Sequence, residues 1–101
     1  MVVRLTYLNF LPGKADEAKR IYKEEIVSEV RQQKGNLECR LLEPVDNTND
    51  YISLTSWETK EQADAYHTSG VYAQLVNKVR ALYAKDPVLK VYTSESILEH
   101  A

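Results

Sequence analysis

The chain has one cysteine, Cys39, so no intrachain disulfide framework and no cysteine-rich zinc site can be built from it. Three glycines and three prolines are too few for a loop-rich fold, and no glycine-rich phosphate loop exists. The two histidines, His67 and His100, do not stand at ligand spacing, so no metal is expected. Positive charge is not in excess: thirteen Lys+Arg face fifteen Asp+Glu, a net of −2, and no nucleic-acid partner is expected. No apolar run approaches the roughly 20 residues of a membrane span. The first ten residues carry one charge and run into Pro12-Gly13, without the small-residue cleavage site of a signal peptide. The expectation is a cytoplasmic protein with neither membrane nor nucleic-acid partners.

What is present is ordinary globular material. The 101 residues are 44% apolar and 28% charged, which suits one domain spanning 1–101. A chain of this length buries roughly two-thirds of its unfolded surface, enough for a core without staples. Seven tyrosines are more than this length leads one to expect.

The order of elements is legible from periodicity. Residues 2–10 (VVRLTYLNF) are rich in β-branched and aromatic types and read as a strand. Val3, Leu5, Tyr7 and Asn9 share one face; Val2, Arg4, Thr6, Leu8 and Phe10 share the other. After Pro12-Gly13 a helix is expected from about Lys14 to Gln33, with a drifting stripe at Ala15, Ala18, Tyr22, Ile26 and Val30. Gly35 suits a left-handed residue past its end. Residues 37–43 and 51–57 read as an antiparallel hairpin across the turn-rich segment 44–50. Thr59 and Gln62 fit a capping box for a short helix to about Thr68. Ser69-Gly70 interrupts it, and a second helix runs from about Val71 to Ala84, stopped by Asp86-Pro87. Residues 88–94 form the last strand, and the tail, 95–101, is read as frayed or as crossing to a partner.

The resulting β-α-β-β-α-β order is the α+β, ferredoxin-like arrangement with one antiparallel sheet. Helices cover only one side of such a sheet, yet these strands are apolar on both faces. A second copy of the chain, sheet packed on sheet, is the simplest cover, so a homodimer is expected.

At the third strand and the broken helix the sequence resembles a known family. The stretch Tyr51-Ile-Ser-Leu-Thr-Ser-Trp57-Glu-Thr-Lys-Glu-Gln-Ala63-Asp-Ala-Tyr-His67-Thr-Ser69-Gly-Val-Tyr72 is similar to the signature of the antibiotic biosynthesis monooxygenase (ABM) domain. That signature is a strand ending in Trp-Glu-Ser, a helix ending in Ala-x-His, then a Ser and an aromatic. Pro12-Gly-Lys14 and Lys34-Gly-Asn-Leu37 resemble the family's turns, and the likeness spans residues 2–94. The resemblance implies the dimeric α+β barrel. It also implies an oxygenase of small aromatic or quinol substrates that works without metal, flavin or haem, so no cofactor is expected. Other relatives degrade haem, and one group processes a phosphorylated quorum signal, which leaves an isomerase-type activity on a small phosphorylated compound as the alternative. A non-catalytic ligand-binding dimer is the third reading. The haem-degrading relatives carry an iron-ligating His, an Asn and a Trp where this chain has Val76, Thr6 and Tyr66, so the resemblance does not extend to haem.

His67 is the candidate catalytic residue, as base or anchor, against the plain alternative of a helix-end histidine satisfying carbonyls. Tyr66 and Tyr72 flank the helix break and suit an aromatic ligand, although Tyr72 also begins a core stripe. Trp57 offers a stacking wall, with packing the preferred role. Arg4 and Arg40 are mid-strand cations that need an anion. A structural carboxylate is the first choice and a ligand the second. Asn9 either lines the pocket or caps the turn. The other tyrosines, 7, 22, 51, 83 and 92, are read as core or interface.

Overall fold

The computed structural model describes residues 1–94; the expectation for the tail, 95–101, lies outside the described residues. Four strands form one antiparallel sheet: β1 (Val2–Asn9), β2 (Asn36–Leu42), β3 (Asp50–Trp57) and β4 (Val88–Thr93), in the order β2-β3-β1-β4. Between β1 and β2, α1 (Ala15–Ile21) passes through a π-helical turn (Tyr22–Ile26) into α2 (Val27–Arg31). Between β3 and β4 come α3 (Lys60–His67), α4 (Gly70–Val79) and a 3-10 turn (Arg80–Leu82). This is the ferredoxin-like α+β order read from the sequence. No helix among the described residues is long and apolar enough to cross a membrane.

Register decides which side chains meet the helices. Val2 pairs with Trp57, Arg4 with Thr55, Thr6 with Ser53 and Leu8 with Tyr51, and directly paired residues share a face. Cys39 and Leu41 of β2 pair with Thr55 and Ser53 and join that face. Ala18, Ile21, Tyr22, Ile26 and Val30 press on it from the first helical segment, and Ala63, Tyr66, Leu75 and Val79 from the second. Trp57 and Phe10 are fully buried at opposite ends of this core.

Local chemistry sets the helix ends. Thr59 Oγ1 accepts from the Gln62 N–H at 3.2 Å, as the capping box requires. The reciprocal half is not made: Gln62 packs its side chain against Gly35, and its Oε1 is buried without a partner among the described residues. Gly35 takes φ +84°, the left-handed conformation expected there. Ser69 ends α3 and starts α4 with one hydroxyl, which donates to Tyr66 O at 2.6 Å and accepts from the Tyr72 N–H at 3.2 Å. The sequence pattern places the end of the long helix at Ala84; the chain leaves it at Leu82. Leu11 N–H donates to Leu82 O at 2.8 Å and Ala84 N–H to Asn9 O at 2.7 Å. These bonds pull Tyr83 out of the helix and bridge it to Phe10.

The opposite face of the sheet is uncovered. It presents Val3, Leu5, Tyr7, Ile52 and Leu54 with Val88 and Tyr92 from β4. All six residues of β4 are exposed, and even Leu89 and Val91, which share the helix-side face, stand beyond the reach of the helices.

Candidate functional site

A cavity of about 60 Å³ lies between the helices and the sheet. Its sheet side is polar: Arg4 and Thr6 from β1, Ser53 and Thr55 from β3. Inward-facing polar residues at alternate positions of a strand leave space and hydrogen-bonding groups where a core would have branched apolar ones. The helix side is aromatic and apolar, with Tyr22, Ile26 and Val30 from the first segment and Tyr66, Tyr72, Leu75, Val76 and Val79 from the second. Leu8, Cys39 and Tyr83 complete it.

Burial tunes these groups toward neutrality. Desolvation pushes the Tyr22 phenol far above its ordinary value, and the Tyr83 hydroxyl also raises it while Ser53 lowers it. Tyr66 is raised by burial as well, and Tyr83 is pushed up to about 12 for the same reason. Cys39 is pushed up to about 11 by burial and stays a thiol. Tyr22, Tyr66 and Tyr83 therefore offer neutral hydroxyls to the space.

Arg4 is the one cation among the described residues that line this space, and it is only 5% exposed. None of the ion pairs among the described residues includes it. The carboxylate expected from the sequence is not found among the described residues. Its guanidinium Nη2 instead meets His67 Nδ1 at 2.6 Å, and the guanidinium carbon lies 5.7 Å from the centre of the Tyr72 ring. An arginine can only donate, so Nδ1 accepts and the imidazole proton sits on Nε2. Desolvation and the neighbouring Arg4 charge lower the His67 pKa, with Asp64 opposing them. His67 itself is exposed, packs at 4.6 Å against Tyr72, and does not line the cavity.

The other residues singled out from sequence divide cleanly. Tyr66 and Tyr72 line the cavity, with ring centres 5.3 Å apart. Trp57 backs Tyr66 at 5.0 Å and donates Nε1–H to Thr55 Oγ1 at 2.9 Å, so it braces the wall without forming it. Arg40 pairs with Glu38 at 2.6 Å and Asn9 donates to Asp50 at 2.6 Å. Both sit on the uncovered side of the sheet, away from the cavity. Tyr22 and Tyr83, read from sequence as core or interface, are cavity groups. Their signal was present in the polar positions Ser53 and Thr55, which line the same cavity from the sheet.

A second, more open groove of about 480 Å³ runs between the first helical segment and the β2 edge. Tyr22 and Cys39 line both spaces, so they form the wall between them. Haem does not fit the inner cavity. Val76, Thr6 and Tyr66 all line it, but none is an imidazole, and the space is far too small for a porphyrin. No cluster of three metal-ligating side chains exists among the described residues.

Residues 1–78 match the family model described as antibiotic biosynthesis monooxygenase. Solved structures share the fold at low identity. A protein of Nitrosomonas europaea named for the antibiotic biosynthesis monooxygenases has a TM-score of 0.82 at 17% identity, covering 93% of this chain and 98% of that one. One from Deinococcus radiodurans, named likewise, reaches 0.84 at 15%, covering 97% and 96%. A point mutant of MhuD, solved with two manganese protoporphyrin IX molecules per active site, reaches 0.78 at 21%, covering 97% and 98%. None of the curated proteins matches the chain.

Proposed function

The chain belongs to the antibiotic biosynthesis monooxygenase family, and from that premise we propose that it oxygenates a small hydroxylated aromatic, of the quinol type, inside the tyrosine-lined cavity and without a cofactor. The observation that carries this reading is the composition of the cavity wall. Tyr22, Tyr66, Tyr72 and Tyr83 surround a space whose remaining helix side is Ile, Leu and Val. Aromatic rings pack edge and face against such walls, while neutral phenols donate to a ligand's oxygen. The volume takes roughly four to six water-sized positions, which matches one ring rather than a fused polycycle.

In an ABM-type reaction of this kind the substrate supplies all the electrons. One atom of dioxygen enters the ring carbon and the other leaves as water, with two hydrogens lost from the substrate. The protein's part is to hold an electron-rich oxygen beside donors in a dry space. Arg4, Thr6 and Thr55 supply the polar side, and Leu75, Val76 and Val79 exclude water.

A homodimer belongs to the same reading. The uncovered face, with Val3, Leu5, Tyr7, Ile52 and Leu54, and the bare β4 together form an apolar surface that a second copy would bury. Light scattering tests it: a mass twice 11.6 kDa is expected, and Leu54→Arg should return the monomer.

Oxygen uptake with one-ring hydroquinones and catechols tests the activity. Consumption above autoxidation, falling at least tenfold in Tyr72→Ala, is expected. Uptake no faster than autoxidation across the panel overturns the oxygenase reading.

A further inference from the structure

The pairing of Arg4 with His67 reverses the roles that residue type alone suggests. The histidine is outside the cavity and the arginine is inside it. One of five guanidinium N–H donors is spent on Nδ1, and no carboxylate among the described residues pairs with the charge. A buried cation without a counter-charge is costly, and folds retain one where something arrives to pair with it. Arg4 lines the cavity with Thr6 and Thr55 on its polar side, so four donors remain for that space. Their fork matches a pair of oxygens, so the complementary ligand group is a compact oxyanion: a carboxylate or a phosphate.

We infer that Arg4 is the anion-anchoring residue of the cavity and that His67 is its positioning residue, acting as a neutral acceptor that holds the guanidinium in place. This rests on the cavity being the ligand site but is independent of any reaction with oxygen. It excludes His67 from service as the base while the pair is intact, since its only basic nitrogen is already occupied.

The arrangement also couples ligand to proton. Protonation of His67 removes the acceptor and sets two cations side by side. The charged groups that bear on His67 are Arg4 from β1 and Asp64 from its own helix, with Lys60 engaging Asp64 at 2.6 Å; α4 contributes only the Tyr72 ring. Asp64 alone does not balance both cations. The guanidinium then loses its hold, so anion binding should weaken as pH falls through the His67 pKa.

The test reads binding and tautomer, not turnover. Thermal midpoints are measured with sodium phosphate and with sodium benzoate, each against chloride at equal ionic strength. A saturable rise is expected in the wild type and none in Arg4→Met. The anion that saturates at the lower concentration identifies phosphate or carboxylate as the preferred group. His67→Gln, whose amide oxygen still accepts, should bind within about threefold of the wild type, and His67→Leu at least tenfold more weakly. Long-range proton–nitrogen NMR should show the wild-type proton on Nε2 at pH 7.5 and a mixture of tautomers in Arg4→Met. An absent anion shift, an equal shift in Arg4→Met, or a His67 proton on Nδ1 overturns the inference. An anion shift without oxygen uptake leaves this inference standing and defeats the oxygenase instead.

Discussion

Replacing Arg4 by methionine should not destabilise the protein. Methionine keeps much of the apolar stem of arginine and discards the charge. Burying a guanidinium costs several kcal/mol after relaxation, about 4 as an order of magnitude. Against this stand one charge-assisted hydrogen bond to His67, worth about 1.5–3 kcal/mol, and a cation–π contact with Tyr72, worth about 1. The sum leaves Arg4→Met between neutral and about 1.5 kcal/mol more stable. His67 faces water, so its freed Nδ1 finds a new partner at no cost. Urea denaturation at pH 7.5 measures this directly, with an unchanged slope showing that the same surface is exposed on unfolding. In a thermal scan the midpoint should hold or rise, by about 4–8 °C per kcal/mol for a domain of this size. A loss of about 3 kcal/mol or more is what breaking a satisfied buried ion pair costs. That result would show the guanidinium to be fully paired in the resting protein, and the argument for a ligand anion would fall.

Three further outcomes follow from the packing. Gly35→Ala should cost about 2–4 kcal/mol, since a Cβ would overlap the Gln62 side-chain amide and lie 2.9 Å from Gln62 Cβ, on a backbone at φ +84°. In a Gln62→Ala background the cost should fall by about half, and equal costs in both backgrounds would rule out the Gln62 contact as its source. Trp57→Ala should cost about 3–5 kcal/mol in urea, because the indole is wholly buried beneath Tyr66; less than about 2 would mean the site collapses freely. The lowered pKa of His67 means that the unfolded chain binds more protons between the folded value and 6.5. Its contribution to stability is therefore complete above pH 6.5 and is lost as pH falls through the folded value. The thermal midpoint of the wild type should drop more between pH 7 and pH 5 than that of His67→Gln.

The strand and helix order is readable because each element carries a clean period or a strong stop signal. The alternation in VVRLTYLNF, the turn residues of 44–50 and the Ser69-Gly70 break all act locally. The drifting stripe of the first helix has a cause that local reading misses. Ala18, Tyr22, Ile26 and Val30 recur every four residues, which advances about 40° beyond each α-helical turn. The wide π turn at Tyr22–Ile26 absorbs that advance and keeps all four on the core. The site is legible in pieces. Arg4 reads as a cation needing an anion and His67 as a candidate base, but 63 residues separate them. Only the register of β1 beside the end of α3 reveals that each occupies the other's hydrogen-bonding group. Tyr83 is misplaced by the sequence pattern because backbone bonds from Leu11 and Ala84, not propensity, end the last helix.

The π turn gives the first helix a spare residue. Its bond from the Val27 N–H to Tyr22 O spans five residues, one more than an α-helix needs. Deleting one residue from positions 23–25 would close the turn to α geometry and leave the segments before and after it facing as they do now. A deletion anywhere else in that helix would rotate everything beyond it by about 100°. Tyr22 and Ile26, which flank the turn, would repack, and both line the cavity. Chain length at this point is thus a means of reshaping the ligand space that leaves the sheet, the Arg4–His67 pair and the rest of the core untouched. Homologous chains that differ by one residue here should share the fold and differ in what they hold.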